Sequence, residues 1–312
     1  MIYARQALFL SQSAGIMSDP FSVVLRALGT HSVRGTGLEA SGDWALAFDG
    51  RARLKFVALM RGRCWLILPD QPPVALTEGD VILLSNTTYT VASDPLIEPV
   101  DGMALYSSPG QDLVRLGQGR ETVMIGGGSG FEEGSASFVL DALPSFLRVD
   151  RASAKAEAIA RTLTSLQTEA SQGEMGGSII AERLAEILVV EAVRAYVAIA
   201  PSDRVGWITA LADPRIGMAL TMMHRAPAHR WTVPKLAAEV GMSRSAFAQR
   251  FSASVGTPPL DYLTSWRMVL AQRKLKVGQA IATIAEEVGY SSQSAFAHAF
   301  KRTTGLTPRW GR

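Results

Sequence analysis

Ala237-Ala238-Glu239-Val240-Gly241-Met242-Ser243-Arg244-Ser245-Ala246-Phe247-Ala248 and Ala285-Glu286-Glu287-Val288-Gly289-Tyr290-Ser291-Ser292-Gln293-Ser294-Ala295-Phe296-Ala297 are two versions of one stretch. Each continues to a second phenylalanine (Phe251, Phe300), a glycine (Gly256, Gly305) and a proline (Pro259, Pro308). One additional residue between the Gly and the Phe separates the two registers. A short helix, a Gly-centred turn, a hydroxyl N-cap and a second amphipathic helix make a helix-turn-helix. Two copies in one chain predict a protein that grips two stretches of DNA groove.

In the first copy Thr232 is placed to cap a helix over 233–239, with Pro234 tolerated in its first turn; Gly241 supplies the turn and Ser243 caps the next helix. Phe247, Phe251 and Val255 recur every four residues and so face inward, which leaves Arg244, Ser245, Ala248, Gln249 and Ser252 outside. In the second copy Thr283-Ile284-Ala285-Glu286 reads as a capping box and Gly289 as the turn. Phe296 and Phe300 anchor the following helix, so Gln293, Ser294, Ala297, His298 and Lys301 point outward. Arginine suits guanine, glutamine suits adenine and an alanine methyl suits that of thymine, so both outer faces have the chemistry of base edges. Between the copies, 260–276 reads as one helix with Tyr262, Leu263, Trp266 and Leu270 on its apolar side. Its basic end, Arg273-Lys274-Leu275-Lys276, suits either phosphate or the helix dipole.

Charge follows the same division. The chain has 312 residues and a formal charge of +3. Residues 213–312 hold 14 Lys/Arg against 5 Asp/Glu, and residues 1–212 hold 17 against 23. A basic module beside an acidic one is the pattern of a polyanion binder joined to a partner domain. The single cysteine, Cys64, excludes an intrachain disulfide, and His31, His224, His229 and His298 lack zinc-ligand spacing. The most apolar long stretch, 179–200, contains Glu182, Arg183, Glu186, Glu191 and Arg194, which makes it an amphipathic helix and not a membrane span. A cytoplasmic protein with no membrane partner is expected.

Upstream, Ser18-Asp19-Pro20 opens a short helix through residue 28, and Met17 just before it is a candidate translation start beside Met1. Short apolar runs at 44–48, 54–60, 64–68, 74–76, 81–84, 103–106, 122–125 and 136–139 are separated by turn residues such as Arg61-Gly62-Arg63 and Glu78-Gly79-Asp80. Their spacing predicts an antiparallel barrel or jelly roll. Beyond Pro144 the period becomes helical, over 155–169 and 178–198, and 200–206 is the best linker candidate. Asp213-Pro214 then starts another helix.

The run 231–308, with Gly256-Thr257-Pro258-Pro259 and Gly305-Leu306-Thr307-Pro308 closing its two motifs, resembles the DNA-binding domain of the AraC/XylS family of bacterial transcription regulators. The resemblance implies seven helices in two subdomains bridged by a long helix, with both recognition helices entering successive major grooves. Where relatives commonly carry Arg two residues after the anchoring apolar residue, this chain has Gln249 and His298, so their base preference does not transfer. Gly62-Arg63-Cys64-Trp65-Leu66, Leu76-Thr77-Glu78-Gly79-Asp80-Val81-Ile82-Leu83-Leu84 and the opening Asp19-Pro20-Phe21-Ser22 resemble the cupin-like sensor domain of one subgroup. Catalytic cupins hold a metal with histidines and a carboxylate, yet 56–58 and 86–90 contain no His. No metal, cofactor or catalytic residue is therefore expected.

The expected fold is α+β in two domains: an N-terminal cupin-like β-barrel with flanking helices and a C-terminal all-α double helix-turn-helix domain. The expected boundaries are an extension at 1–17, a sensor and dimerisation domain at 18–200, a linker at 201–212 and a DNA-binding domain at 213–312. The helix-turn-helix units are expected at 232–256 and 283–305. The expected function is that of a homodimeric regulator of promoter DNA that contacts RNA polymerase and responds to a small-molecule effector. Trp44, Phe56, Trp65, Tyr89 and Tyr106 are the candidate pocket residues, although aromatics in a small barrel also serve as plain core. Cys64 is a candidate redox sensor if Arg61 or Arg63 stabilises its thiolate, and otherwise a buried strand cysteine. Two other readings remain: a constitutive DNA-binding protein whose barrel only dimerises, and a cupin enzyme fused to a DNA tether.

Overall fold

The computed structural model describes residues 19–28, 31–108, 112–130, 136–149, 156–172, 174–199 and 205–308. The extension at 1–17 lies outside them. One helix, α1 (Pro20–Leu28), is followed by β1 (His31–Ala40), β2 (Ala45–Arg61), β3 (Arg63–Ile67), β4 (Val74–Thr77), β5 (Val81–Ala92) and β6 (Val100–Asp101). Next come α2 (Gly102–Leu105), β7 (Leu113–Leu116), β8 (Thr122–Gly130), α3 (Ser137–Leu140), β9 (Phe146–Arg148), α4 (Ala156–Gln172), α5 (Gly177–Ile199) and α6 (Trp207–Ala210). The remaining helices are α7 (Pro214–Arg225), α8 (Val233–Glu239), α9 (Arg244–Val255), α10 (Pro259–Lys276), α11 (Ile281–Glu287) and α12 (Gln293–Thr304). The described elements form two units, one that runs from β1 to α6 and one that joins α1 to α7 through α12.

In the first unit the nine strands share one mixed sheet in the order β4-β3-β5-β2-β8-β1-β7, with β6 beside β2 and β9 beside β5. Most pairs are antiparallel, while β1 with β7 and β2 with β6 are parallel. Leu76 on β4 and Val114 on β7 lie at opposite ends of that order, yet both belong to one buried cluster with Leu38, Val57, Leu59, Leu84 and Met124. The sheet therefore wraps around its own core, as a cupin-like barrel does. The long strand β2 supplies both of the apolar runs read at 44–48 and 54–60, and its register with β5 shifts between Gly50 and Leu54. Such a bulge bends a strand and lets it serve two parts of a curved sheet. The helices α4 and α5 pack on each other and α5 packs on β1.

Two expected strands are helical turns. Residues 103–106 fall in α2, whose N-cap Asp101 accepts a bond from the Met103 amide, and 136–139 fall in α3. A four-residue apolar run carries no period, so the cap decides the first case. The linker expected at 201–212 is in part structured: Trp207 of α6 is buried and donates to the Phe138 carbonyl at 2.8 Å, with the two rings 5.5 Å apart.

In the second unit α1 packs against α7 and α10, so this helix groups with the C-terminal helices and not with the barrel. Asp19 caps it through the Ser22 amide and hydroxyl, and Phe21 and Val24 are buried. Among the described residues the unit has seven helices, six from Pro214 to Thr304 and α1 from the other end of the chain. Asp213 caps α7 as expected, with Pro214 at the first helical position.

Candidate nucleic-acid interface and barrel cavity

Both recognition helices are built as the repeat implies. Thr232 caps α8 through the Lys235 amide, Ser243 caps α9 through the Ala246 amide, and Ser292 caps α12 through the Ala295 amide. Four residues separate each serine cap from its anchoring Phe, 243 to 247 and 292 to 296. The additional residue of the second copy therefore sits in the turn, between Gly289 and Ser292, and leaves the helices in register. Gly289 has φ +86°, and a Cβ there would lie 2.7 Å from the Ala228 carbonyl oxygen, so this turn admits no side chain. The capping box expected at Thr283 is absent. Instead α11 begins at Ile281 after Ala280, without a side-chain cap. The stripe Ile281, Ile284, Ala285 and Val288 packs on one cluster, and burial of an isoleucine outweighs the roughly 1 kcal/mol of a cap.

Phe247 and Phe251 are buried with ring centroids 5.6 Å apart, and Phe296 and Phe300 repeat this at 5.6 Å. Opposite these anchors Arg244, Ser245 and Gln249 are exposed while Ala248 and Ser252 are half-buried. On α12, Gln293, Ser294, His298 and Lys301 are exposed and Ala297 is half-buried. Position by position from the caps, Arg244 matches Gln293, Gln249 matches His298, and Ser252 matches Lys301. Arg250 was not among the expected residues. Its guanidinium pairs at 2.6 Å with Asp213, the cap of α7, while the matching Ala299 is buried. Arg302, also missed, lines a groove with His298, Arg267 and Trp231. Its signal was the basic pair Lys301-Arg302.

The barrel holds a half-open cavity of about 150 Å³. Of the five candidate pocket residues, Tyr89 and Tyr106 line it from the buried cluster, whereas Phe56 borders it from the pleat of β2 opposite to Lys55. Trp44 is buried in the barrel core instead and Trp65 is half-buried on β3; neither lines this cavity. Phe48 and Lys55 on β2 do, and the sequence reading missed both. Phe48 stacks on Tyr89 with centroids 5.1 Å apart, and the Lys55 ammonium lies 5.0 Å from the Phe48 ring centre and 5.6 Å from that of Tyr89. Burial, then the positive charge of Arg53, holds the Lys55 amine down to about 8. The visible signal was a lysine inside the apolar run Leu54-Lys55-Phe56-Val57-Ala58-Leu59.

Cys64 is 2% exposed. Burial, then the charge of Asp80, pushes its thiol up to about 12, so the neutral thiol persists at physiological pH. Its disulfide exchange with an aromatic disulfide reagent at pH 8 is expected to be far slower in the native chain than in denaturant, because burial both hides the sulfur and withholds its thiolate. Comparable rates in the two states would restore a sensor role. Among the described residues no group of three or more His, Cys, Asp or Glu is arranged to hold a metal ion, and no helix is long and apolar enough to cross a membrane.

A cupin family model matches residues 19–198, and a helix-turn-helix domain model matches residues 236–310. A putative AraC-like transcription regulator of Streptomyces antibioticus is 41% identical over 293 residues, 93% of this chain and 97% of that protein. The HTH-type transcriptional regulator AlkR of Acinetobacter baylyi is 31% identical over 281 residues, 87% of this chain and 92% of that one. Among solved structures, the DNA-binding domain of AdpA in complex with a target DNA matches with 28% identity and a TM-score of 0.29, over 30% of this chain and 86% of that one.

Proposed function

Because the chain belongs to the family of AraC-like transcription regulators, with a cupin domain followed by a helix-turn-helix domain, we propose that α9 and α12 read promoter DNA in two successive stretches of major groove. The supporting observation is the pair of serine-capped helices in one unit, each anchored by buried phenylalanines and each presenting a different polar face. Arg244 and Gln249 read one half-site, and Gln293, His298 and Lys301 read the other. Unlike faces in a fixed order imply an asymmetric site read by a single subunit. The basic balance of residues 213–312 supplies phosphate attraction, so affinity falls with salt.

In the same reading the barrel cavity holds a small-molecule effector. Its occupancy changes how firmly the recognition unit engages DNA, by a coupling energy of about 1–3 kcal/mol. The protein acts as a homodimer in the cytoplasm, and the bound unit contacts RNA polymerase. Selection of binding sites from random duplexes tests the assignment of the faces. Gln249→Ala and Gln293→Ala are each expected to relax preference at one or two base pairs, in different halves of the site, at about 1–3 kcal/mol for a lost bidentate contact. Unchanged preference in both variants excludes these helices as the readers.

A further inference from the structure

Among the described residues, the cavity in the barrel carries a lysine that no carboxylate pairs with. Lys55 stands on β2 in the same alternating row as Val57 and Leu59, both members of the buried cluster, so its side chain belongs to the inward face of the sheet. Its ammonium lies against the faces of Phe48 and Tyr89 and donates to the Tyr89 hydroxyl at 3.3 Å. Among the described residues no carboxylate forms an ion pair with it. The neighbouring strand makes room for this arrangement: a Cβ on Gly128, the partner of Lys55 across β8, would lie 2.7 Å from the Lys55 Cγ. A cation withdrawn from water into an aromatic cavity is unfavourable unless an anion joins it. A methionine would fill the same space without that cost.

Building on the reading that the cavity is the effector site, we propose that the effector is an organic anion, a carboxylate on a small apolar body, with Lys55 and the Tyr89 hydroxyl taking the carboxylate. Lys55 is the cation that meets the phenol, and Arg53, an exposed residue of the same lining, adds positive charge that favours an anion. The walls of Phe48, Tyr106, Met103 and Met124 match a hydrocarbon body. A cavity of about 150 Å³ is the size that holds a single benzene ring. The amine, held to about 8, is still mostly charged at neutral pH and so ready to receive the anion.

Ligand-observed NMR titration of the full chain with benzoate and hexanoate, against benzamide and hexanamide, tests the charge requirement. The carboxylates are expected to bind at least about tenfold more tightly than the amides, and Lys55→Met to remove that difference while leaving amide binding and near-ultraviolet circular dichroism unchanged. Tyr89→Phe, which keeps the ring, is expected to weaken carboxylate binding about threefold. Equal affinity for carboxylate and amide in the wild type, both abolished by filling the cavity with Met124→Trp, overturns the anion proposal and leaves the effector cavity standing. Binding of neither series overturns both. Carboxylate selectivity that survives Lys55→Met removes Lys55 as the recognising group.

Discussion

Phe247→Ala and Phe296→Ala are each expected to destabilise the helical unit by about 3–5 kcal/mol, a large part of the stability of a small domain. Each ring is 0% exposed. Removing it leaves a void that its neighbours only partly close, so the loss exceeds the transfer free energy of the missing atoms. The two voids have similar walls. Phe247 stands beside Phe251, which meets Tyr262 edge-on at 5.8 Å, and Phe296 packs beside Phe300 and Tyr290 as well as Met268, Leu275, Ile284 and Val288. The two losses are therefore expected to be of similar size. Urea unfolding of the full chain followed at 222 nm checks both. Ser245→Ala and Ser294→Ala, two residues away and on the exposed side of each helix, are expected to stay within about 0.5 kcal/mol of the wild type. A loss under about 1 kcal/mol in either Phe variant removes that ring from the core.

The repeat made the helical unit legible because caps and anchors are local. Thr232, Ser243 and Asp213 sit where their side chains meet orphan amides, and the phenylalanines mark the buried face by period alone. Thr283 failed because tertiary burial outranked a local motif: the stripe that begins at Ile281 set the start of α11. In the barrel the strands with apolar runs were visible, but β1 was not. Its sequence, His31-Ser32-Val33-Arg34-Gly35-Thr36-Gly37-Leu38-Glu39-Ala40, is poor in apolar residues, and it is a strand because β8 and β7 flank it. The cavity was half legible. Aromatic residues announced themselves, but which of them face a common space depends on the bend in β2, which no local pattern encodes. Lys55 shares the pleat of Val57 and Leu59, so a lysine inside an apolar run faces the interior.

The duplicated unit separates what is shared from what differs. Shared positions hold the scaffold: the serine caps of α9 and α12, the turn glycines and the phenylalanines. Differing positions fall mostly on the exposed face, with one instructive exception. Arg250 faces Asp213 and binds the cap of α7 to α9, whereas its counterpart Ala299 is simply buried. Residue type at that position follows the neighbour each copy happens to meet, not DNA. Arg250 is therefore expected to tune the stability of the first motif more than base choice, and a substitution there bears on folding before it bears on sequence preference.

Acid is expected to weaken the helical unit before its carboxylates titrate, through His224. This side chain on α7 is buried, its Nε2 2.7 Å from the Tyr262 hydroxyl, and its ring stacks on Trp266 at 4.5 Å. Burial holds its imidazole down to about 3. The unfolded chain takes up the proton near an ordinary value of about 6.5, while the folded one resists until about 3. Between those values the unfolded state binds more protons, so stability is fully present above about pH 6.5 and is lost as the pH falls through that window. At about 1.4 kcal/mol per pH unit the loss reaches about 2 kcal/mol by pH 5, where most carboxylates are still charged. Urea midpoints of the full chain at pH 7, 6 and 5 measure it. His224→Phe keeps a ring on Trp266 and removes the titrating group, so its midpoint is expected to stay nearly level from pH 7 to pH 5, at a lower starting stability because the hydrogen bond between His224 and the Tyr262 hydroxyl is lost. Parallel curves for the two proteins assign the acid sensitivity to another group.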